Sequence, residues 1–242
     1  MKPRTLHRSL FATCILLVLP MLGVHAQGGT PAPSPSQYPG RQSTAGLTIG
    51  VGYAVGGSTF LDPAENWKIS PITSNKFGVD ITYPLAPIVS ASLSLGLDSR
   101  GGKSYWYQTS EIWDTRRVSY FSINPGIILN GFYIGVNFGV PLGGTRTWHN
   151  GAEERTYAQD IDAGYNNLLT MVEPRIGGVI TLTDQDIGWL GLTIMAGYNL
   201  NNISENKSFL PGEDPQKTYS TQTVAAQIGL TWQFGIPGTS RE

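Results

Sequence analysis

Four charged residues are candidates for chemistry because a period of two places each of them on the small or polar side of a strand-like segment. They are Asp80, Asp98, Glu173 and Arg175. In a structural interpretation, the four charges pair with one another, since an isolated ion out of water is very costly. In a functional interpretation, they gate a narrow water path or set its selectivity. The sequence favours the structural interpretation and leaves the second one open.

His149 is the only histidine after the first 26 residues and is therefore the one candidate for a histidine base in that part of the chain. Nucleophilic catalysis needs such a base within hydrogen-bond reach of a hydroxyl, with a third group to orient it. His149 lies in a charged segment without His-x-Ser spacing, and the acidic residues around it match no calcium-binding loop. The sequence therefore predicts no catalytic residue, no cofactor and no metal site.

The first 26 residues read as a cleaved signal peptide, with basic residues Lys2 and Arg4, an apolar run over 10–24 and cleavage after Ala26. Removing its three Lys and Arg residues leaves 13 basic and 17 acidic residues, a formal charge of −4. That balance gives no support to nucleic-acid binding. The only cysteine, Cys14, lies in this segment, which disfavours a thiol enzyme or a thiolate metal site in the exported protein.

The elements that must position the charged residues are strands, and the last one, 222–234, shows the pattern most clearly. Its alternate residues are apolar and those between them are small or polar, over a length that suffices to cross a bilayer. Similar segments recur about eight times. The apolar set of the last strand is Val224, Ala226, Ile228, Leu230, Trp232 and Phe234.

Long and short connections alternate between these segments, and roughly Ser99–Asp114 is predicted to be one of the long loops. This alternation is typical of an outer-membrane barrel with long extracellular loops and short periplasmic turns. Asn130-Gly131 predicts a tight hairpin. We therefore predict an all-β protein, an eight-stranded antiparallel up-and-down transmembrane β-barrel over 45–234, after a flexible leader at 27–44 and before a short tail at 235–242. Leu168 is predicted to face outward. The aromatic residues predicted to form interfacial girdles are Phe132, Trp189, Trp232 and Phe234 at one end and Tyr53, Phe77, Phe138 and Tyr198 at the other.

Alternation alone does not decide which face of the barrel points outward. A soluble barrel of lipocalin type, with its apolar face inside, is the main alternative. The glycine-rich polar face favours the membrane, because a soluble ligand-binding barrel needs bulky side chains inside. A narrow barrel of eight strands has room for side chains or one small ligand, and no room for an open channel.

Four segments show this alternation, and each contains a glycine: Leu93–Leu97, Tyr120–Ile128, Met195–Leu200 and Ile228–Phe234. In this order they resemble the small bacterial outer-membrane β-barrel proteins, the porin-like group that includes the OmpA transmembrane domain and OmpX. The resemblance implies a place in the outer membrane, with membrane lipids and the barrel-assembly machinery as partners. It also implies long extracellular loops, chiefly Gly143–Asn166, that meet an outside ligand. We expect a non-enzymatic structural or surface-interaction role; the alternatives are a narrow channel for small solutes and a lipid-modifying enzyme that uses His149.

Overall fold

A computed structural model describes residues 46–61, 67–106, 109–159, 167–185, 188–204 and 220–236. The predicted signal peptide (1–26) and leader (27–44) lie outside these residues, as does most of the predicted tail. No helix in the described ranges has the length and apolarity needed to cross a bilayer. The strands are β1 (Thr48–Phe60), β2 (Trp67–Ser70), β3 (Ile72–Ala86), β4 (Val89–Trp106), β5 (Ile112–Leu129), β6 (Phe132–Asn150), β7 (Glu154–Gln159), β8 (Met171–Gln185), β9 (Gly188–Tyr198) and β10 (Thr223–Gly235).

Eight of these strands form a closed antiparallel ring in the order β1, β3, β4, β5, β6, β8, β9, β10. The ring closes where β1 pairs with β10, from Thr48 opposite Gly235 to Phe60 opposite Thr223. Closure pairs both edges of every ring strand, which is what a sheet needs in hydrocarbon. The predicted eight-stranded antiparallel up-and-down barrel is confirmed.

The outward face of the ring is apolar and the inward face is polar. Phe77 is 56% exposed and Leu230 is 50% exposed, whereas Thr48, whose side chain faces the lumen, is buried. A lipocalin-type barrel would show the opposite arrangement, so that alternative is wrong. We call the exposed apolar residues of the ring the apolar belt: Ile49, Val51, Tyr53, Val55, Phe77, Val79, Tyr83, Leu97, Phe121, Ile123, Ile127, Leu129, Ile134, Phe138, Val140, Leu142, Ile176, Leu182, Ile228, Leu230, Trp232 and Phe234.

Two residues lie on the opposite face from the one predicted. Trp189 is 3% exposed and Leu168 is 4% exposed, so neither one faces lipid. Leu168 precedes β8 and is not governed by the alternation of that strand. Trp232 and Phe234 do face outward, and their rings stack with centroids 5.6 Å apart, as expected of an aromatic girdle.

The hairpin predicted at Asn130-Gly131 is confirmed. Asn130 has φ 48° and Gly131 has φ 84°, so both central residues adopt the left-handed conformation that a type I′ turn requires. Asparagine and glycine tolerate this conformation better than other residues. The turn therefore fixes the register between β5 and β6, which carry several of the residues described below.

Two predicted loops are largely strand. The segment from Ser99 to Asp114 contains the end of β4 and the start of β5, and Gly143–Asn166 contains the end of β6 and all of β7. Beyond the apolar belt, β4, β5 and β6 stay paired with one another, while β2 adds to β4 and β7 adds to β6. Side chains there have no lipid to face, so the apolar alternation stops although the backbone pairing continues.

Candidate functional site

Four charged residues form one group inside the barrel. Asp98 and Arg100 lie on β4, and Glu173 and Arg175 lie on β8, across the lumen from them. We call these residues the buried quartet, since their side chains are at most 1% exposed. Two carboxylates and two guanidiniums together are formally neutral, so the group satisfies the requirement that buried charges be paired.

The quartet is a continuous ring of charge-assisted hydrogen bonds. Arg100 donates twice to Glu173, from Nε to Oε2 at 2.7 Å and from Nη2 to Oε1 at 2.9 Å. Its Nη2 also donates to Asp98 Oδ2 at 3.1 Å. Arg175 closes the ring by donating to Glu173 through Nε and to Asp98 through Nη2. Paired donors of this kind are the strongest hydrogen bonds in proteins and fix both partners in orientation.

Neutral polar side chains extend the quartet to other strands. Ser74 on β3 accepts from Arg100 Nη1 at 2.8 Å and from Gln227 Nε2, on β10, at 2.9 Å. Asn137 on β6 donates to Asp98 Oδ2 at 3.3 Å. With β4 and β8, five of the eight ring strands are therefore joined through one polar network at the centre of the lumen.

The structure brings together three of the four residues singled out in the sequence, and Asp80 lies apart from them. Thr231 Oγ1 donates to Asp80 Oδ2 at 2.9 Å, nearer the end with the short turns. Asp80 and Lys76 line a cavity of about 60 Å³, room for a few water molecules. A Cβ at Gly52 would lie 2.6 Å from Asp80 Oδ2, so glycine leaves space for this carboxylate.

Arg100 is a member of the quartet that the sequence analysis missed, because the segment after Ser99 was assigned to a loop. It lies two residues after Asp98 and so projects from the same face of β4. Continuing the period of two past the apolar part of the strand would have found it. Its main partner, Glu173, is 73 residues away in sequence, and no local pattern identifies that pairing.

An apolar layer closes the lumen between the quartet and the long-loop end. Leu168 and Ile203 belong to connecting segments that fold into the barrel mouth, where the amide of Leu169 donates to the carbonyl of Ile203 at 3.0 Å. They meet side chains that project inward from the strands. The layer consists of Phe60, Val118, Tyr120, Leu168, Met171 and Ile203, all at most 5% exposed.

A second charged group lies above the apolar layer and beyond the apolar belt. Arg146 donates to Asp114 from Nε at 3.0 Å and from Nη2 at 2.9 Å, and Arg116 Nη2 donates to Asp114 at 3.0 Å. Burial alone would raise the pKa of the Asp114 carboxyl, but the charges of Arg116 and Arg146 outweigh burial and hold that pKa below its ordinary value. The group ties β5 to β6 outside the hydrocarbon.

We expect Asp114→Asn to lower the stability of the β5–β6 hairpin by about 1.5–3 kcal/mol at neutral pH, because hydrogen bonds to a charged group are lost. Because the pKa of Asp114 is lower in the folded protein than in the unfolded chain, the ionised carboxylate stabilises the hairpin fully above about pH 4, the ordinary Asp value. This stabilisation is lost as the pH falls through the lower pKa of the folded protein. Hydrogen exchange of the hairpin amides, corrected for intrinsic rates, should show protection that falls in acid for the wild type and not for Asp114→Asn.

Glu153→Gln is the matched control for this measurement. Its partner is Arg155, and both side chains are about three-fifths exposed, at 61% and 59%. Exposed pairs contribute little to stability, so the control should exchange like the wild type at every pH. An Asp114→Asn hairpin that keeps wild-type protection at neutral pH would contradict the stabilising role of this group.

His149 lies in the protruding part of β6, where it stacks on Trp113 with ring centroids 5.6 Å apart. Its Nδ1 contacts the carbonyl of Glu111 and the amide of Gly151. Both contacts hold the imidazole ring through Nδ1. Among the described residues, no group of three or more His, Cys, Asp or Glu side chains is arranged to hold a metal ion.

The sequence matches no protein-family model and no curated protein. Among solved structures, it is similar to Ail, the attachment invasion locus protein of Yersinia pestis, with 9% identity and a TM-score of 0.43 over 78% of this chain and 99% of that one. It is also similar to OprG from Pseudomonas aeruginosa, with 13% identity and a TM-score of 0.34 over 79% and 97% of the two chains. Neisserial surface protein A matches with 5% identity and a TM-score of 0.36, over 81% and 99%.

The polarity of the two faces of the barrel indicates which solvent surrounds it. The apolar belt covers the outside of a closed ring, and the quartet and its polar partners fill the inside. In water, an exposed apolar belt would be unfavourable, whereas the hydrocarbon of a bilayer stabilises it. Since strands cross a membrane only as closed barrels with this alternation, the chain folds as an eight-stranded β-barrel of the outer-membrane type.

Proposed function

We propose that this protein is a non-enzymatic outer-membrane barrel whose strands carry an interaction surface on the cell exterior. The observation behind this proposal is that β4, β5 and β6 continue beyond the apolar belt and recruit β2 and β7. The result is a five-stranded sheet in the order β2, β4, β5, β6, β7. We call this part, residues 67–70, 101–106, 112–117, 145–150 and 154–159, the extracellular sheet, since long connections of such barrels lie outside the cell.

The closed lumen supports a structural role for the barrel itself. Side chains fill it at the quartet and again at the apolar layer, and the cavity beside Lys76 and Asp80, at about 60 Å³, has room for only a few water molecules. A conducting path would have to separate the paired charges of the quartet, which leaves uncompensated buried ions. A role in the passage of solutes is therefore disfavoured.

Single-channel recording on the refolded protein in planar bilayers tests the closed lumen. We expect no steady conductance from the wild type, because the paired charges of the quartet and the side chains of the apolar layer both fill the lumen. Glu173→Gln and Arg175→Gln serve as comparison variants, since each removes one charge from the quartet. A steady wild-type conductance that either variant alters would replace this proposal with transport.

Attachment of cells that display the protein tests the surface role. A non-adherent Gram-negative host that displays the wild type should attach to cultured epithelial cells more strongly than the empty host. Tyr105→Ala with Trp113→Ala should remove this gain, because both residues are on the outward side of the extracellular sheet and lie opposite each other. Arg155→Gln, on the opposite side, is the matched control.

Two outcomes would contradict the surface role. Attachment no better than that of the empty host would refute it directly. A lipid-processing activity of the wild type that is lost in His149→Ala would instead make the protein an enzyme, despite the structural contacts of that side chain.

A further inference from the structure

The tip of the hairpin between β6 and β7 carries an exposed Asn-Gly pair. Asn150 is the last residue of β6, and Gly151-Ala152 is the turn that leads to β7. The amide of Asn150 donates to the carbonyl of Glu153 at 3.2 Å and so closes the turn. Gly151 has φ 93°, a conformation that favours glycine. Apart from its chain neighbours, the one described atom within 4 Å of a Cβ added at Gly151 is Glu111 Oε2, at 3.9 Å, so water reaches this residue.

An Asn-Gly pair can react with itself when three requirements are met around it. The backbone nitrogen of the glycine attacks the side-chain carbonyl carbon of the asparagine and closes a five-membered cyclic imide. The two groups are already adjacent in the chain, so no encounter is needed, and glycine has no Cβ to hinder the approach. The reaction needs a base for the N–H proton, hydrogen-bond donors for the carbonyl oxygen, and water to open the imide.

His149 supplies the base. The amide of Gly151 donates to its Nδ1 at 3.2 Å, so the imidazole contacts the nitrogen that attacks. The ring is held by stacking on Trp113, 7° from parallel. Imidazole is the side chain most often used to move protons near neutral pH. The carbonyl of Glu111 also contacts Nδ1, and it accepts the hydrogen on this nitrogen once the imidazole has taken the proton.

Two backbone amides supply the donors. Asn150 Oδ1 accepts from the amide of Ala152 at 3.0 Å and from that of Glu153 at 2.8 Å. Attack on the side-chain carbonyl places negative charge on this oxygen, and fixed N–H groups stabilise such charge. The other Asn-Gly pair, Asn130-Gly131, differs: among the described residues, no group donates to the Asn130 side chain and no imidazole contacts the Gly131 amide.

We propose that Asn150 is a self-modifying site, which the folded protein converts through a cyclic imide to aspartate or isoaspartate. His149 takes the proton of the Gly151 nitrogen as this nitrogen bonds to Asn150 Cγ. The Cγ–Nδ2 bond then breaks, and His149 returns the proton to the departing nitrogen, which leaves as ammonia. Water adds to one of the two imide carbonyls: addition at Cγ gives aspartate, and addition at the main-chain carbonyl gives isoaspartate. The net reaction consumes water and releases ammonia, with no oxidation or reduction.

The product changes the tip of the hairpin. It adds a negative charge beside Glu153 and Glu154, where the intact Asn150 is neutral. Isoaspartate also lengthens the main chain by one carbon at the point where the amide of Asn150 closes the turn. The site therefore gives the protein, with time and without another enzyme, a new charge at an exposed position. This inference does not depend on the proposed surface role.

Peptide mass spectrometry of the full-length protein in detergent tests this proposal. The protein is incubated in neutral buffer made with heavy-oxygen water, so that each conversion leaves a labelled carboxylate in the digested peptide. We expect Asn150 to convert faster in the folded protein than in the same chain unfolded in urea, because only folding brings the base and the donors to it. Asn130 is the internal control and should convert more slowly when folded, because its turn is fixed without either group.

His149→Gln should slow the conversion of Asn150 about tenfold, below the roughly hundredfold of a general base in a closed active site, because the tip is exposed to water. Arg117→Gln is the matched control, because Arg117 is exposed on the same side of the sheet, opposite Thr145 and away from the tip. It should convert like the wild type. Conversion that is no faster in the folded protein than in the unfolded chain, or that proceeds at the wild-type rate in His149→Gln, would overturn the proposal. The shift in gel mobility on heating shows that each variant is folded.

Discussion

Replacing Arg100 with Met should destabilise the folded barrel by about 3–5 kcal/mol, the cost of removing one partner from a buried ion pair. Arg100 contacts both carboxylates of the quartet and is 1% exposed. Without it, Arg175 is the one guanidinium left for Asp98 and Glu173, and the quartet carries a net buried negative charge. Equilibrium unfolding in urea from lipid vesicles, followed by tryptophan fluorescence, measures the loss.

A second substitution separates charge from packing in this experiment. Glu173→Met alone should also be strongly destabilising, but Arg100→Met with Glu173→Met leaves the neutral pair Asp98–Arg175 in place. The double variant should therefore lose less stability than the two single variants added together, by about 0.5–3 kcal/mol. Strict additivity would contradict the electrostatic account. Lys68→Met, an exposed surface position, should stay within about 0.5 kcal/mol of the wild type.

Ile194→Arg should reduce the stability of the barrel in bilayers by about 2–4 kcal/mol, the cost of a lipid-facing arginine at the midplane. Ile194 lies opposite Ile228, which is 49% exposed in the apolar belt. It is six residues from the short-turn end of β9, about 20 Å along the strand and roughly 15 Å along the membrane normal. That is half of the hydrocarbon thickness of about 30 Å.

Ile194→Met is the matched control, because it keeps an apolar side chain of similar volume at the same place. Unfolding from vesicles should show a loss under about 1.5 kcal/mol for Met and the larger loss for Arg. If Arg and Met behave alike at this position, the outward side of β9 does not contact lipid and the assignment of faces is wrong.

The sequence by itself determined the strands that cross the membrane. Their side chains alternate between two solvents, lipid and lumen, so the period of two is recorded in local composition, as in Val224, Ile228 and Trp232 against Gln227 and Gln233. The same period placed Asp98, Glu173 and Arg175 inside. The turn at Asn130-Gly131 was also predictable, because its chemistry depends on two adjacent residues.

Only the tertiary structure decided which face of the barrel is outside, since an alternating strand reads the same in a lipocalin-type barrel and in a membrane barrel. The tertiary structure also showed that β4, β5 and β6 continue past the apolar belt. Side chains on both sides of the sheet meet polar surroundings there, so apolar and polar residues no longer alternate. The pairing of Arg100 with Glu173 depends on ring closure, which brings β4 and β8 together across the lumen. Leu168 and Ile203 close the mouth for the same reason: their contacts are long-range, and no local pattern records a long-range contact.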